Sequence, residues 1–153
     1  MIDVLIIDTV DGGDYKLQNN DLVTVKGWQN MVYLALFGGN IEENTKEYRP
    51  NEQRFDWWAN DLFFENDSSI QFNSDTERML NNTVISSETR PFIEATVKSD
   101  LQFMNEFATV GVSAIIEGVD RLKIEISVIE PSASQSLNFA YIWDSTKKEL
   151  ITL

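Results

Sequence analysis

Two runs of strict alternation in the last third of the chain constrain the fold more than any other feature. Leu122, Ile124, Ile126 and Val128 alternate with Lys123, Glu125 and Ser127. After the turn Pro131-Ser132-Ala133-Ser134, Leu137, Phe139, Tyr141 and Trp143 repeat the pattern. Successive side chains on a strand point to opposite faces, so each run predicts a half-buried strand. Val112–Glu117 alternates more weakly and is joined to the first run by Gly118-Val119-Asp120, a hairpin connection. Asp144-Ser145-Thr146-Lys147 leads to a last strand at Leu150–Leu153.

The segment before these strands has a different period. Ile93, Val97, Leu101, Met104 and Ala108 recur at spacings of four and three, the stripe of an amphipathic helix. The spacing predicts a long helix starting near Ser87–Thr89, with Pro91 in its first turn and Gly111 as its stop. A shorter helix precedes it: Ser74-Asp75-Thr76-Glu77 has the form of a capping box, and the helix runs through Leu80 towards Val84.

The first quarter reads as short strands. Ile2–Ile7 is a β-branched and leucine run expected to be covered on both faces. Asp11-Gly12-Gly13-Asp14 supplies a turn, Tyr15 and Leu17 return, Asn19-Asn20 turns again, and Leu22–Val25 makes a third piece. Trp28, Met31 or Val32, and Leu36 then recur at helical spacing, and Gly38-Gly39 stops that helix. Residues 40–73 read as one long loop, a length that usually carries function. The layout is α+β in a single domain of residues 1–153: N-terminal β-meander, central helices including one long amphipathic helix, C-terminal antiparallel sheet.

Composition removes several chemistries. The 153 residues hold no cysteine and no histidine, so disulfides, thiolate nucleophiles, imidazole bases and histidine-bearing zinc sites are excluded. The net charge of −13 repels nucleic acid and anionic membranes, and its complement is a basic protein surface, although solubility is served by the same charge. The start, Met1-Ile2-Asp3-Val4, has no basic segment of the kind that opens a secretory signal, and none is expected.

Within the long loop, Phe55-Asp56-Trp57-Trp58 is followed by Phe63-Phe64 among polar, turn-forming neighbours. Adjacent tryptophans point to different sides of either a strand or a helix, so one internal face does not easily take both. Aromatics in a wet segment are the usual form of an interface anchor. A core plug by Trp57 with Trp58 lying outside fits the same residues. Trp57, Trp58, Phe63 and Phe64 are therefore candidate partner-binding residues. Arg90 joins them as a cation at a helix start, where pairing with Glu88 or Glu94 is the plainer role.

Taken in order, the Asp-Gly-Gly turn, the helix ending in Phe37-Gly38-Gly39, the Trp57-Trp58 loop, the two helices and the strand pair at Val112–Ile129 resemble the Mu-type baseplate wedge proteins of contractile phage tails. These are related to the T4-type sheath-initiating wedge subunit. The resemblance covers essentially the whole chain, and its most specific element is Trp57-Trp58. It implies a structural protein rather than an enzyme, with no cofactor and no metal. It further implies several copies in a symmetric virion tail baseplate, bound to other wedge and hub proteins, with sheath or tube proteins as further neighbours. Strands Leu137–Trp143 and Leu150–Leu153 become candidate pairing edges. The sheath-initiating branch carries Glu-Pro-Arg where helix hands over to sheet. This chain reads Thr109-Val110-Gly111-Val112 there, which puts direct sheath initiation in doubt.

Carboxylate chemistry is the alternative. A glycoside hydrolase needs two facing acids, and Glu65 with Asp67, or Asp56 beside Trp57, are placed near aromatics. Nothing in the spacing selects a pair. Asp8, Asp11 and Asp14 have the wrong spacing for a calcium loop and lack its closing glutamate, so turn capping explains them.

Overall fold

A computed structural model describes residues 2–9, 12–40, 55–56, 59–64 and 70–151. The architecture is mixed α+β, and the chain divides into two compact units, Met1–Ser74 and Asp75–Leu153.

In the first unit six short strands form three separate two-stranded ribbons. β1 (Ile2–Val4) pairs with β6 (Thr24–Lys26), β2 (Ile6–Thr9) with β3 (Gly12–Tyr15), and β4 (Leu17–Gln18) with β5 (Asp21–Leu22), all antiparallel. The N-terminal β segment is thus nested, with first strand against last, and is not a run of consecutive neighbours. The ribbons meet at the residues between them. Leu5 N–H donates to the Val23 carbonyl (2.8 Å), Lys16 N–H to Leu5 (3.1 Å) and Val23 N–H to Lys16 (2.9 Å), a closed ring of three backbone hydrogen bonds. Asn19 and Asn20, at φ 54° and 63°, make the two-residue turn between Gln18 and Asp21, as their side chains favour.

Two expectations for this region are corrected. Ile2 is 78 % exposed, so the first apolar run is not covered on both faces; among the described residues the strand paired with β1 is the narrow β6. Gly12 and Gly13 belong to β3, opposite Thr9 and Asp8, and not to the turn.

Helix α1 (Gly27–Phe37) buries Val32, Leu36 and Phe37 and stops where the sequence predicts. Gly39 has φ 95°, the conformation that glycine adopts most cheaply. A Cβ on Gly38 would lie 2.3 Å from the Leu34 carbonyl oxygen and 2.7 Å from the Phe72 Cβ, so only glycine fits this approach. Asn30, itself buried, ties α1 to the ribbons. Its Nδ2 donates to Asp3 Oδ2 (2.9 Å) and to the Val4 carbonyl (2.6 Å), and its Oδ1 accepts from Ile6 N–H (3.3 Å). The long-loop region contains structure of its own: β7 (Gly39–Asn40) pairs with β8 (Phe55–Asp56), and α2 spans Asn60–Phe64.

The second unit is a helical hairpin with a four-stranded antiparallel sheet. α3 (Asp75–Asn82) and α4 (Arg90–Asp100) are antiparallel neighbours: Asp100 Oδ2 accepts from Thr76 N–H (2.8 Å) at one end, and Thr96 Oγ1 meets Met79 Sδ (3.2 Å) further along. The bend before α4 is locked by Ser86 and Thr89, each accepting the other's backbone N–H (2.9 and 3.2 Å). α4 ends at Asp100, short of the predicted Gly111, and a 3-10 turn at Gln102–Glu106 continues it. The stripe survives this change. Ile93, Val97, Leu101, Met104 and Ala108 are all buried, because the step from Leu101 to Met104 is three residues, the period of the 3-10 turn itself.

β9 (Thr109–Ile116), β10 (Arg121–Ile129), β11 (Leu137–Asp144) and β12 (Glu149–Ile151) lie in the order β12-β11-β10-β9. Leu122, Ile124, Ile126 and Val128 are fully buried on one face, in register with Trp143, Tyr141, Phe139 and Leu137 on β11 and with Ile116, Ala114, Val112 and Val110 on β9. Gly111, expected to stop the helix, sits inside β9 opposite Ser127.

Candidate functional site

Of the five residues singled out for partner binding, the structure describes three. Trp57 and Trp58 lie outside the described residues. Phe63 and Phe64 fall on α2, with ring centroids 6.3 Å apart, and Phe64 meets Phe72 edge-on at 6.1 Å. Phe63 is 55 % exposed and its neighbour Leu62 70 % exposed, whereas Phe64 is half-buried. This follows from one short helix: only one side of it turns inward, and Ala59 at its start is fully buried. The three ribbons add Ile2, Tyr15, Leu17 and Leu22 to the exposed apolar set of this unit. Leu17 and Leu22 are direct cross-strand partners.

Arg90 belongs to the second unit. Its Nη1 lies 3.4 Å from Glu94 Oε2, the pairing expected from the sequence, and 3.3 Å from the Ala114 carbonyl oxygen. Glu94 in turn accepts from Ala114 N–H (3.4 Å) and pairs with Lys98 Nζ (2.7 Å). The bonded Lys98 ammonium holds the Glu94 carboxyl below its usual range. Partial burial opposes this, while the Ala114 amide and the charges of Lys98 and Arg90 add to it.

These contacts lie on the outer edge of β9. In an antiparallel pair, alternate residues turn their backbone groups towards the partner strand. Glu117 N–H donates to the Arg121 carbonyl (3.0 Å), so odd-numbered residues of β9 face β10 and even-numbered ones face away. Ala114 is even-numbered, and Arg90 and Glu94 occupy both its groups. The outward groups of Val110, Val112 and Ile116 have no partner among the described residues. Sequence reasoning placed the pairing edges at Leu137–Trp143 and Leu150–Leu153. β11 is paired with β12 only over Ile142–Asp144, and β9 is an edge that the sequence did not single out. Its weak alternation was the one available hint.

At the other end of the sheet two turns are joined, with Ser145 N–H donating to the Asp120 carbonyl (2.9 Å). The Asp144 carboxylate accepts from the amides of Thr146 (3.0 Å) and Lys147 (3.1 Å). Burial raises the pKa of the Tyr141 phenol well above the ordinary value. Among the described residues no group of three acidic side chains is placed to hold a metal ion. Glu65, Asp67 and Asp11, from the hydrolase pairs and the aspartate cluster, lie outside the described residues, as do the side chains of Asp8, Asp14 and Asp56.

Comparison of the chain with protein-family models, with curated proteins and with solved structures gives no match in any of the three.

Proposed function

We propose that the chain is a structural subunit of a contractile-tail baseplate, working by binding neighbouring wedge and hub proteins and not by catalysis. The observation that carries this reading is the placement of large apolar side chains in the first unit. Leu62 and Phe63 on a five-residue helix, and Ile2, Leu17 and Leu22 on two-stranded ribbons, stand in solvent. Isolated ribbons of this size are marginal by themselves, and exposed apolar groups on them gain most from a partner that covers them. The −13 charge suits basic neighbours and orients their approach. The Trp57-Trp58 resemblance supplies the baseplate context, and in that context the protein is present in several copies around a symmetric hub.

The test is purification of the tagged protein from its native lysate, with mass spectrometry and negative-stain imaging. The expected result is co-purifying tail proteins in baseplate-shaped particles, lost when Leu62→Ser and Phe63→Ser are combined in a chain that still folds. A partnerless monomer, or particles unaffected by that variant, would overturn it.

A further inference from the structure

The two halves of the β9 edge differ. At Ala114 the Arg90 guanidinium and the Glu94 carboxylate take the places that a neighbouring strand would fill. At Val110 and Val112 the same kind of outward N–H and carbonyl groups have no partner among the described residues. Open edge groups are a template for an added strand, and many proteins block them. Here the block covers one part of the strand and leaves the other.

The side-chain surroundings of the open part are specific. Gly111, between the two open residues, has no side chain on the outer face of the sheet. Next to it a shallow trough of about 480 Å³ runs past Ser113, Ser127, Glu125, Asn138 and Ala140. A strand paired antiparallel to β9 would place one residue directly beside Gly111, on the same face, so its side chain enters this trough. The residues before and after it would point to the other face, beside the half-buried Val110 and Val112.

Charge selects the occupant. Of the described residues that line the trough, Glu125 is the one that carries a charge. Lys123 Nζ holds Glu125 Oε1 at 2.7 Å, and the second carboxylate oxygen has no partner among the described residues. From the residue beside Gly111, Glu125 lies two strand spacings across and two residues along, about 12 Å, a distance that an extended lysine or arginine and the glutamate span between them. The net charge of −13 disfavours a second copy of this chain as the occupant.

We infer that β9 accepts an extended apolar–cation–apolar segment of a basic partner protein at Val110–Val112, with its cation laid over Gly111 towards Glu125. The Arg90–Glu94 pair ends the added strand at Ala114. This inference rests on the second unit alone and stands or falls separately from the baseplate reading, which rests on the first.

The test uses the isotope-labelled full chain and a capped heptapeptide of alternating valine and lysine, with a valine–glutamate peptide as control. Saturating lysine peptide should slow amide exchange at Val110 and Val112 at least tenfold and leave Ile116 unchanged, and the glutamate peptide should do neither. Val112→Pro removes an outward N–H that has no partner among the described residues, at a position where an edge strand tolerates proline. It should abolish binding. Gly111→Leu fills the gap and should weaken binding at least fivefold; Ser127 Oγ, 2.5 Å from the site of the new Cβ, can rotate aside. If Val112→Pro does not fold, Gly111→Leu still decides the matter. Absence of protection, protection extending through Ile116, equal binding of both peptides, or protection on concentrating the chain alone would each overturn the inference.

Discussion

The two units bury their apolar residues by different means. In Asp75–Leu153, alternate residues of a continuous sheet and one helical stripe are buried, and the apolar side chains left in solvent, Phe92 and Phe107 among them, lie off that buried face. In Met1–Ser74 the strands are two to four residues long and paired in twos, and several of their largest side chains face solvent. Burial stabilises by about 25 cal/mol per Å² of apolar area removed from water, and narrow ribbons remove little. One unit draws its order from its own core. The other buries Val32, Leu36 and Phe37 of α1 and holds its ribbons by hydrogen bonds and tight backbone fits.

The contrast predicts a graded series of effects. Ile124→Ala, in the middle of β10 and fully buried, should cost about 2–5 kcal/mol, read by chemical denaturation. A loss below 1 kcal/mol would mean that the sheet is not the main source of stability. Asn30→Ala strands the Ile6 amide and the Val4 carbonyl and should cost about 1–3 kcal/mol. Hydrogen exchange should locate that loss in β1 and β2 and leave β10 protected. Equal loosening of both would erase the distinction between the units.

Glu94→Gln is smaller. The native pKa of Glu94 is depressed, so its contribution is present above the ordinary value of 4.5 and is lost as pH falls through the lower native value. At neutral pH the variant should lose less than about 1 kcal/mol, since the ion pairs are partly exposed. Melting curves of wild type and variant should converge below that range, and a gap that persists at low pH would assign the effect to packing. Smallest of all, Leu17→Ser with Leu22→Ser should change stability by no more than about 0.5 kcal/mol. A larger loss would place these leucines in a core.

The second unit was largely legible because its signals are periodic. Five stripe residues and two alternating runs each specify a buried face, and packing then follows them. What periodicity cannot carry is where a helix tightens. Leu101 to Met104 satisfies an α-helix and a 3-10 turn alike, so the end at Asp100 and the strand position of Gly111 were not visible. In the first unit Asn19-Asn20 and Gly38-Gly39 were readable from backbone preference, whereas β-branched residues at Ile2 read the same whether or not anything covers them. Asn30 was silent, since a buried amide in a helix has no sequence mark. Of the candidate site, the Arg90–Glu94 pairing was readable from its spacing, but its bonds to Ala114 depend on how α4 lies along β9.

The ring of Leu5, Lys16 and Val23 bears on how this chain can change over time. Each member gives its amide to one neighbour and lends its carbonyl to the other, so none can move along its strand without unseating both. Insertion or deletion of one residue inside any ribbon would shift register for all three at once, whereas the Asn19-Asn20 tip can lengthen without reaching the ring. The N-terminal arm is therefore open to variation in reach and closed to variation in plan.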